Sequence, residues 1–340
     1  MPSRVRISDV ASAVGVSIAT VSASLNEVES ARISADTRAR VREVADRLGY
    51  VPNRLAQGLR AQRSGTIGFI SDTVATTPYA VGMVHGALEA ARAADRVVLL
   101  TDTEGNPDVE ARELATLLRY QVDGVLYATM FHRSVEVPAL LHNTPVVLVD
   151  AEAADPTVSS AVPDEVAGAM TAAGELLGHG HRRIGFINNP DPILAATGRL
   201  EGYKRALRQA GIYIDPALII TATNNGPEGG YWAARQLLAL PERPTGMFCF
   251  RDLMAMGAYQ AAVEAGLRIP QDLSIVGFDN MEFTAGLHPG LTTVALPHYE
   301  MGSWGVQQLL ALMESPTERA KQVRLSGQLI RRRSVAPPPT

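Results

Sequence analysis

The chain has 340 residues, more than one hydrophobic core usually supports, so two or three domains are expected. With 46% hydrophobic and 19% charged residues it has the composition of a globular protein, which excludes disorder over most of its length. The net charge of −4 argues against nucleic-acid binding over the whole surface, but it is unevenly spread: residues 1–63 hold ten Arg against six acids, a balance of +4, which leaves −8 for the remainder.

No apolar run approaches the roughly 18 residues of a membrane span. The opening MPSRVRISDV lacks the apolar stretch and cleavage site of an export signal, so a cytoplasmic location without a membrane partner is expected. The single cysteine, Cys249, sits in the apolar run GMFCF and reads as a buried, inert thiol.

In chain order, residues 8–14 place Val10, Ala11 and Val14 on one helical face, with Ser8 as N-cap. Gly15 breaks the pattern. Ser17 then caps a second helix whose Val21 and Leu25 face inward four residues apart. A third helix opens at Ser34, buries Val41, Val44, Ala45 and Leu48, and ends at Gly49. Two short helices joined by a glycine turn and buttressed by a third make a helix-turn-helix, whose second helix enters the major groove of double-stranded DNA. Its outward residues are Ile18, Ala19, Ser22, Ala23 and Asn26. The same periodicity also suits a plain three-helix bundle with no DNA partner.

More of the order bears on that choice. ISDVASAVGVSIATVSASLN, followed by ISADTRARVREVADRLGYVPNRLAQGL, resembles the N-terminus of the lactose repressor (LacI/GalR) family of bacterial transcription regulators. The resemblance is carried by DVA, GVS, TVS, LN, TR..V, LGY.PN and the leucine of the next segment. It implies DNA contacts from Ser17, Ile18, Ala19, Thr20, Ser22, Ala23 and Asn26. It also implies a hinge helix over PNRLAQGLR that supplies Asn53, Gln57 and Leu59, the leucine wedging between base steps in the minor groove. Pro52 suits the first helical position, whereas Gly58 departs from the family at a cost of about 1 kcal/mol relative to alanine. The hinge is expected to order only on DNA. Ala23 stands where the family often has an arginine, and Ile18 and Ala19 occupy its variable pair. None of the three makes a bidentate hydrogen bond, so readout is expected from apolar contacts such as thymine methyls, from Ser22 and Thr20, or from DNA shape. The loop 27–32 is longer than is usual in the family.

After Ser64 apolar strands alternate with helices: TIGFIS, RVVLLTD, VDGVLYAT and PVVLVD, then RRIGFIN, GMFCFRD and SIVGFDN. Such alternation predicts an α/β fold with parallel sheets covered by helices on both faces. The string IGFI occurs at 67–70 and again at 184–187, which points to two similar lobes. Ligands in parallel sheets bind beyond the carboxyl ends of strands. The candidates there are Ser71, Asp72, Thr101, Asp102, Thr129, Asp150, Asn188, Asn189, Arg251, Asp252, Asp279 and Asn280. Asp252, ahead of a helical stretch, also reads as a cap.

The family resemblance continues through TPYAVGMVHGALEAA, GHRRIGFI, RLEGYKRAL, RDLMAMGA, IPQDLSIVGFDN, PGLTTV and LPHYEMG, and so covers nearly the whole chain. It implies a two-lobed periplasmic-binding-protein-like core that binds a small effector, by default a carbohydrate or derivative, and forms a homodimer. By that resemblance Arg199 and Asp279 contact the effector, with Tyr79 and Asp150 lining the pocket. Arg251 stands where the family usually has an asparagine, and Asn225 where it often has an aromatic. Two readings stay open: a second arginine suits an anionic effector, or Arg251 pairs with Asp150 or Asp279 and the ligand is neutral.

The expected domains are a helix-turn-helix head over 1–50, a hinge over 51–63 and the core over 64–340. Lobe 1 is expected at about 64–163 and 291–318, and lobe 2 at about 164–290 and 319–335. His179 and His181 lack a third ligand nearby, so no metal is expected, and no cofactor is implied. Tyr299 and Trp304 read as core or dimer packing. RRRSVAPPPT, with its prolines, reads as a frayed end, and without a leucine-heptad tail a tetramer is not expected.

GxSxG, GxGxxG and a nucleophile with its base are all absent, which argues against an enzyme. A transport-type binding protein would explain a cleft but not the head. The combined expectation is a DNA-binding repressor that grips a pseudo-palindromic site as a dimer; the alternative is a small-molecule sensor that does not bind DNA.

Overall fold

In this computed structural model the described residues are 5–26, 32–50, 64–77, 80–315 and 319–339. The chain parts after Ser64 into two compact units.

The first unit holds α1 (Ile7–Val14), α2 (Ile18–Leu25) and α3 (Ala35–Leu48). Val10, Val21 and Val41 are fully buried among Ala11, Val14, Val44 and Ala45, because apolar residues three and four apart share one helix face. Ser17 and Ser34 cap α2 and α3 by accepting from the backbone N–H groups of Thr20 and Thr37. Gly15 and Gly49 end α1 and α3 with φ of +78° and +69°. Two expectations change here. The N-cap of α1 is Arg6 rather than Ser8, its N–H donating to the Asp9 carboxylate at 2.8 Å. Leu48 is 37% exposed, and Tyr50, beyond the left-handed Gly49, packs on the cluster instead.

The second unit opens with β1 (Thr66–Ser71), α4 (Val81–Ala93), β2 (Val97–Asp102), α5 (Pro107–Arg119), β3 (Gly124–Ser134), β4 (Val146–Glu152) and β5 (Ser159–Pro163). It continues with α6 (Glu165–Gly178), β6 (Ile184–Asn188), α7 (Leu194–Gln209), β7 (Ile219–Thr221), α8 (Pro227–Leu238), β8 (Gly246–Cys249), α9 (Asp252–Glu264) and β9 (Ser274–Val276). The last elements are β10 (Thr293–Ala295), α10 (His298–Glu314), β11 (Gln322–Leu325) and β12 (Gln328–Ile330).

Among the described residues the strands form two parallel sheets, ordered β11-β5-β4-β3-β1-β2 and β7-β6-β8-β9, and an antiparallel pair β10-β12. Side chains alternate across each sheet. Ile67 and Phe69 join one apolar cluster and Ile70 another; Ile184 and Phe186 join one and Ile187 another. The repeated IGFI thus marks the same position in two lobes. Its glycine admits a leucine from the helix packed on that face: a Cβ on Gly68 would stand 3.1 Å from Leu117 Cδ1, and one on Gly185 2.9 Å from Leu237 Cδ1.

The lobe boundaries differ from those expected. Val294 and Leu329 pack with Phe186 and Phe278, so β10 and β12 belong to lobe 2. Met301 and Leu309 of α10 pack with Phe69, and β11 adds to the first sheet, so 298–325 belongs to lobe 1. The chain therefore crosses between the lobes after Pro163, between Ala295 and His298, and between Leu325 and Gln328. The expected switches at 291 and 319 are each too early, because sequence does not say which sheet a three- or four-residue strand joins.

The end of the chain is docked rather than frayed. Arg331 forks onto Glu175 at 3.0 Å, and buried Ser334 donates to the Ile275 carbonyl while accepting from the Thr292 N–H. The Ala336 carbonyl accepts from Ser274 Oγ at 3.1 Å and lies 2.8 Å from His181 Nε2. Those bonds satisfy backbone groups that prolines leave available, which composition alone does not reveal. His181 Nδ1 lies 2.9 Å from Thr245 Oγ1, and burial pulls its pKa down. Cys249 is fully buried and its thiol is pushed up by burial. Trp304 packs partly buried on the lobe 1 core, and Tyr299 donates to Glu89 at 2.6 Å.

Candidate functional site

Two surfaces carry the candidate residues, one in each unit. In the first, the axes of α1 and α2 turn by 103°, within the range of a helix-turn-helix. Ile18, Ala19 and Asn26 are exposed, Ile18 by 51%, while Thr20, Ser22 and Ala23 are half-buried. Several polar groups on this helix already have partners. Ser17 Oγ accepts from the Thr20 N–H at 3.0 Å and shares a hydrogen with Thr20 Oγ1 at 2.9 Å; Asn26 Nδ2 donates to Ser22 Oγ at 3.3 Å. Arg38 Nη1 and Arg40 Nη2 each donate at 3.3 Å to carbonyls of Ala23 and Val14, which ties α3 to the turn. Asn53, Gln57, Leu59 and residues 27–31 lie outside the described residues.

In the second unit the two lobes face a cleft. Of the expected effector residues, Asp150, Arg199, Arg251 and Asp279 line it. Arg199 is held on every side: Nε donates to Glu165 Oε2 at 2.7 Å, and Nη1 donates to the Phe250 carbonyl at 2.6 Å and to Asp279 Oδ1 at 3.3 Å. Its guanidinium also lies between the Phe250 and Phe278 rings, 4.3 and 3.8 Å from their centroids. Burial lowers the Arg199 pKa, but Glu165 and Asp279 outweigh it and the net shift is upward. The other Asp279 oxygen lies 3.4 Å from Arg251 Nε, so both cleft arginines sit on the same carboxylate.

Asp150 differs. It is 3% exposed, and among the described residues its Oδ1 has no hydrogen-bond partner. Burial above all, then the charge of Glu165, holds this carboxyl well above the usual range, with Arg199 opposing. Asp150, Asp279 and Asn280 have φ of +55°, +102° and +55°, backbone states that most side chains avoid and that recur at binding sites.

Two lining residues were not singled out from sequence. Glu165 is the first residue of α6, after its N-cap Asp164, and its partner is 34 positions away. His132 comes from an irregularity in β3. Ala128 pairs with Val149 and Arg133 with Ala151, so β3 advances five residues while β4 advances two, and Met130, Phe131 and His132 are turned into the cleft. Among the described residues neither His132 ring nitrogen has a hydrogen-bond partner, and Nε2 lies 3.4 Å from Glu152 Oε2.

Three expected effector residues do not line this cleft. Thr129 is fully buried and its hydroxyl donates to the Asp150 carbonyl at 2.7 Å. Asp72 pairs with Arg133 at 3.0 Å, and Asn225 Nδ2 donates to Asp191 at 3.3 Å. Asp252, at the start of α9, accepts from Thr293 Oγ1 and the Met281 N–H, both at 2.7 Å, and so joins β10 to the loop after β9. Tyr79 lies outside the described residues. Among the described residues no three metal-ligating side chains gather; His179 Nδ1 lies 2.8 Å from the Glu175 carbonyl.

Comparison with known proteins covers both units. Residues 6–53 match the family described as bacterial regulatory proteins, lacI family, and residues 173–335 match the periplasmic binding protein-like domain. The ribose operon repressor of Escherichia coli strain K12 is 33% identical over 96% of this chain and 98% of its own length. The HTH-type transcriptional repressor PurR of Proteus mirabilis is 32% identical over 98% and 97%. Among solved structures, the lac repressor dimer bound to operator and the anti-inducer ONPF has a TM-score of 0.82 and 26% identity, covering 98% of this chain and all of that one.

Proposed function

The chain belongs to the lacI family of bacterial regulatory proteins, and from that membership we propose that it is a cytoplasmic repressor whose operator affinity is set by a small polar molecule in the cleft. It is a DNA-binding transcriptional regulator, it acts as a dimer, and its relatives are regulators rather than enzymes. The observation that carries the reading is the near end-to-end likeness to a repressor dimer seated on its operator.

Each unit supplies one part. Ile18, Ala19, Thr20, Ser22, Ala23 and Asn26 on and beside α2 face the bases, and the hinge 51–63, with Asn53, Gln57 and Leu59, is the proposed minor-groove element. Among the exposed large apolar side chains of lobe 1 are Val81 and Leu88 on α4 and Val97 and Leu100 on the edge strand β2, a surface suited to a second copy. Asp150, Arg199, Arg251 and Asp279 form the effector site, between lobes whose angle the ligand sets.

The test is to incubate the purified chain with a random double-stranded DNA library at moderate salt and sequence what is retained. A two-fold symmetric motif is expected, since a two-fold protein mirrors its half-sites. Retention without any sequence preference would overturn the repressor reading.

A further inference from the structure

The polar groups of the cleft are not evenly spent. Three carboxylates, Asp150, Glu165 and Asp279, and two guanidinium groups, Arg199 and Arg251, line it. Arg199 is taken by Glu165, Asp279 and the Phe250 carbonyl, and Arg251 sits on Asp279. One carboxyl is left over, Asp150, almost wholly buried in the cleft wall, with an oxygen that has no hydrogen-bond partner among the described residues. An anionic ligand would meet arginines already neutralised and a bare carboxylate beside them. A ligand bearing a positive donor would complete the site.

We propose that the effector carries a protonated amine that seats on the Asp150 carboxylate, as in an amino sugar or a polyol amine, and that the site excludes anions. The inference rests on the cleft being the effector site. The remaining lining is mixed. Met130, Phe250 and Leu296 give apolar walls, and His132 Nδ1, without a hydrogen-bond partner among the described residues, offers a donor or acceptor for a neighbouring hydroxyl. Burial first, then the neighbouring charge of Glu165, holds the Asp150 carboxyl above the usual carboxylate range against the opposing pull of Arg199. An ammonium group arriving there favours the ionised form of the carboxyl and supplies the donor that its unpartnered oxygen lacks.

The experiment compares matched neutral, amino-deoxy and uronic forms of glucose and galactose at millimolar concentration and constant ionic strength. Thermal shift of the full chain comes first, then calorimetry for the dissociation constants. An amino member should bind at least about tenfold tighter than its neutral and acidic counterparts. In Asp150→Asn, whose side chain tolerates the left-handed backbone, that preference should vanish. A neutral or acidic member that binds tighter than its amino counterpart would overturn the inference and leave the effector cleft standing. Silence of all three series would count against both.

Discussion

Ile18 puts a large apolar side chain at the first position of α2, where it is half exposed with its neighbour Ala19. The protein gains nothing in stability by showing it, so its value lies in what it touches, and a thymine methyl or a sugar face fits. Ile18→Glu should leave the melting temperature within the small range of surface changes, about ±0.5 kcal/mol, since an acid also suits a helix N-terminus. It should weaken operator binding by about tenfold or more through repulsion of the phosphates, as read by fluorescence anisotropy. In the cleft, Asp150→Asn should stabilise the ligand-free protein. An acid whose pKa is raised on folding holds a proton that the unfolded chain has released, so its burden is absent below the unfolded pKa near 4 and grows as pH rises. The gap in melting temperature between variant and wild type should therefore widen as pH rises above about 4. Asp150, Arg199, Arg251 and Asp279 were legible in sequence because strand ends and family motifs mark them. Glu165 and His132 were not: the first acts through an arginine 34 residues away, and the second reaches the cleft through a change of strand register.

Helix pairs in the core pack through glycine. A methyl group on Gly302 of α10 would overlap the Met83 carbonyl of α4, and one on Gly86 the Tyr299 carbonyl. The same close approach joins α8 to α9 at Gly230 and Gly257, and α6 to α7 at Gly202. Gly302→Ala should force the α4 and α10 backbones apart and destabilise lobe 1 by about 1–3 kcal/mol, visible as a lower midpoint in urea. Ser334→Ala removes two of the bonds that clip the end of the chain, to the Ile275 carbonyl of β9 and the Thr292 N–H before β10, and should cost about 1–3 kcal/mol by leaving the buried Thr292 N–H unpaired. A melting temperature equal to wild type for either variant would contradict this packing. The strands and most helices were readable from periodicity and caps, since those depend on neighbours in sequence. The docked tail and the placing of β10, β11 and β12 depend on partners more than a hundred residues away, or on which of two similar sheets a short strand joins, and local pattern carries neither.

At the scale of the whole molecule, a basic head and an acidic two-lobed core form one regulator. Because phosphate contacts release counterions, the logarithm of operator affinity should fall linearly with the logarithm of salt concentration, and a flat dependence would contradict a phosphate-gripping head. Control by the cleft requires that its ligand favour one lobe arrangement over another, since a ligand with equal affinity for both shifts nothing. The direct measurement is the operator dissociation constant of the full chain, titrated with and without a saturating concentration of the compound that binds the cleft. The account predicts a change of about fivefold or more, together with an equal change in the compound's own affinity when operator is present, because coupling between two sites is reciprocal. An operator affinity that stays the same with the cleft filled would contradict it.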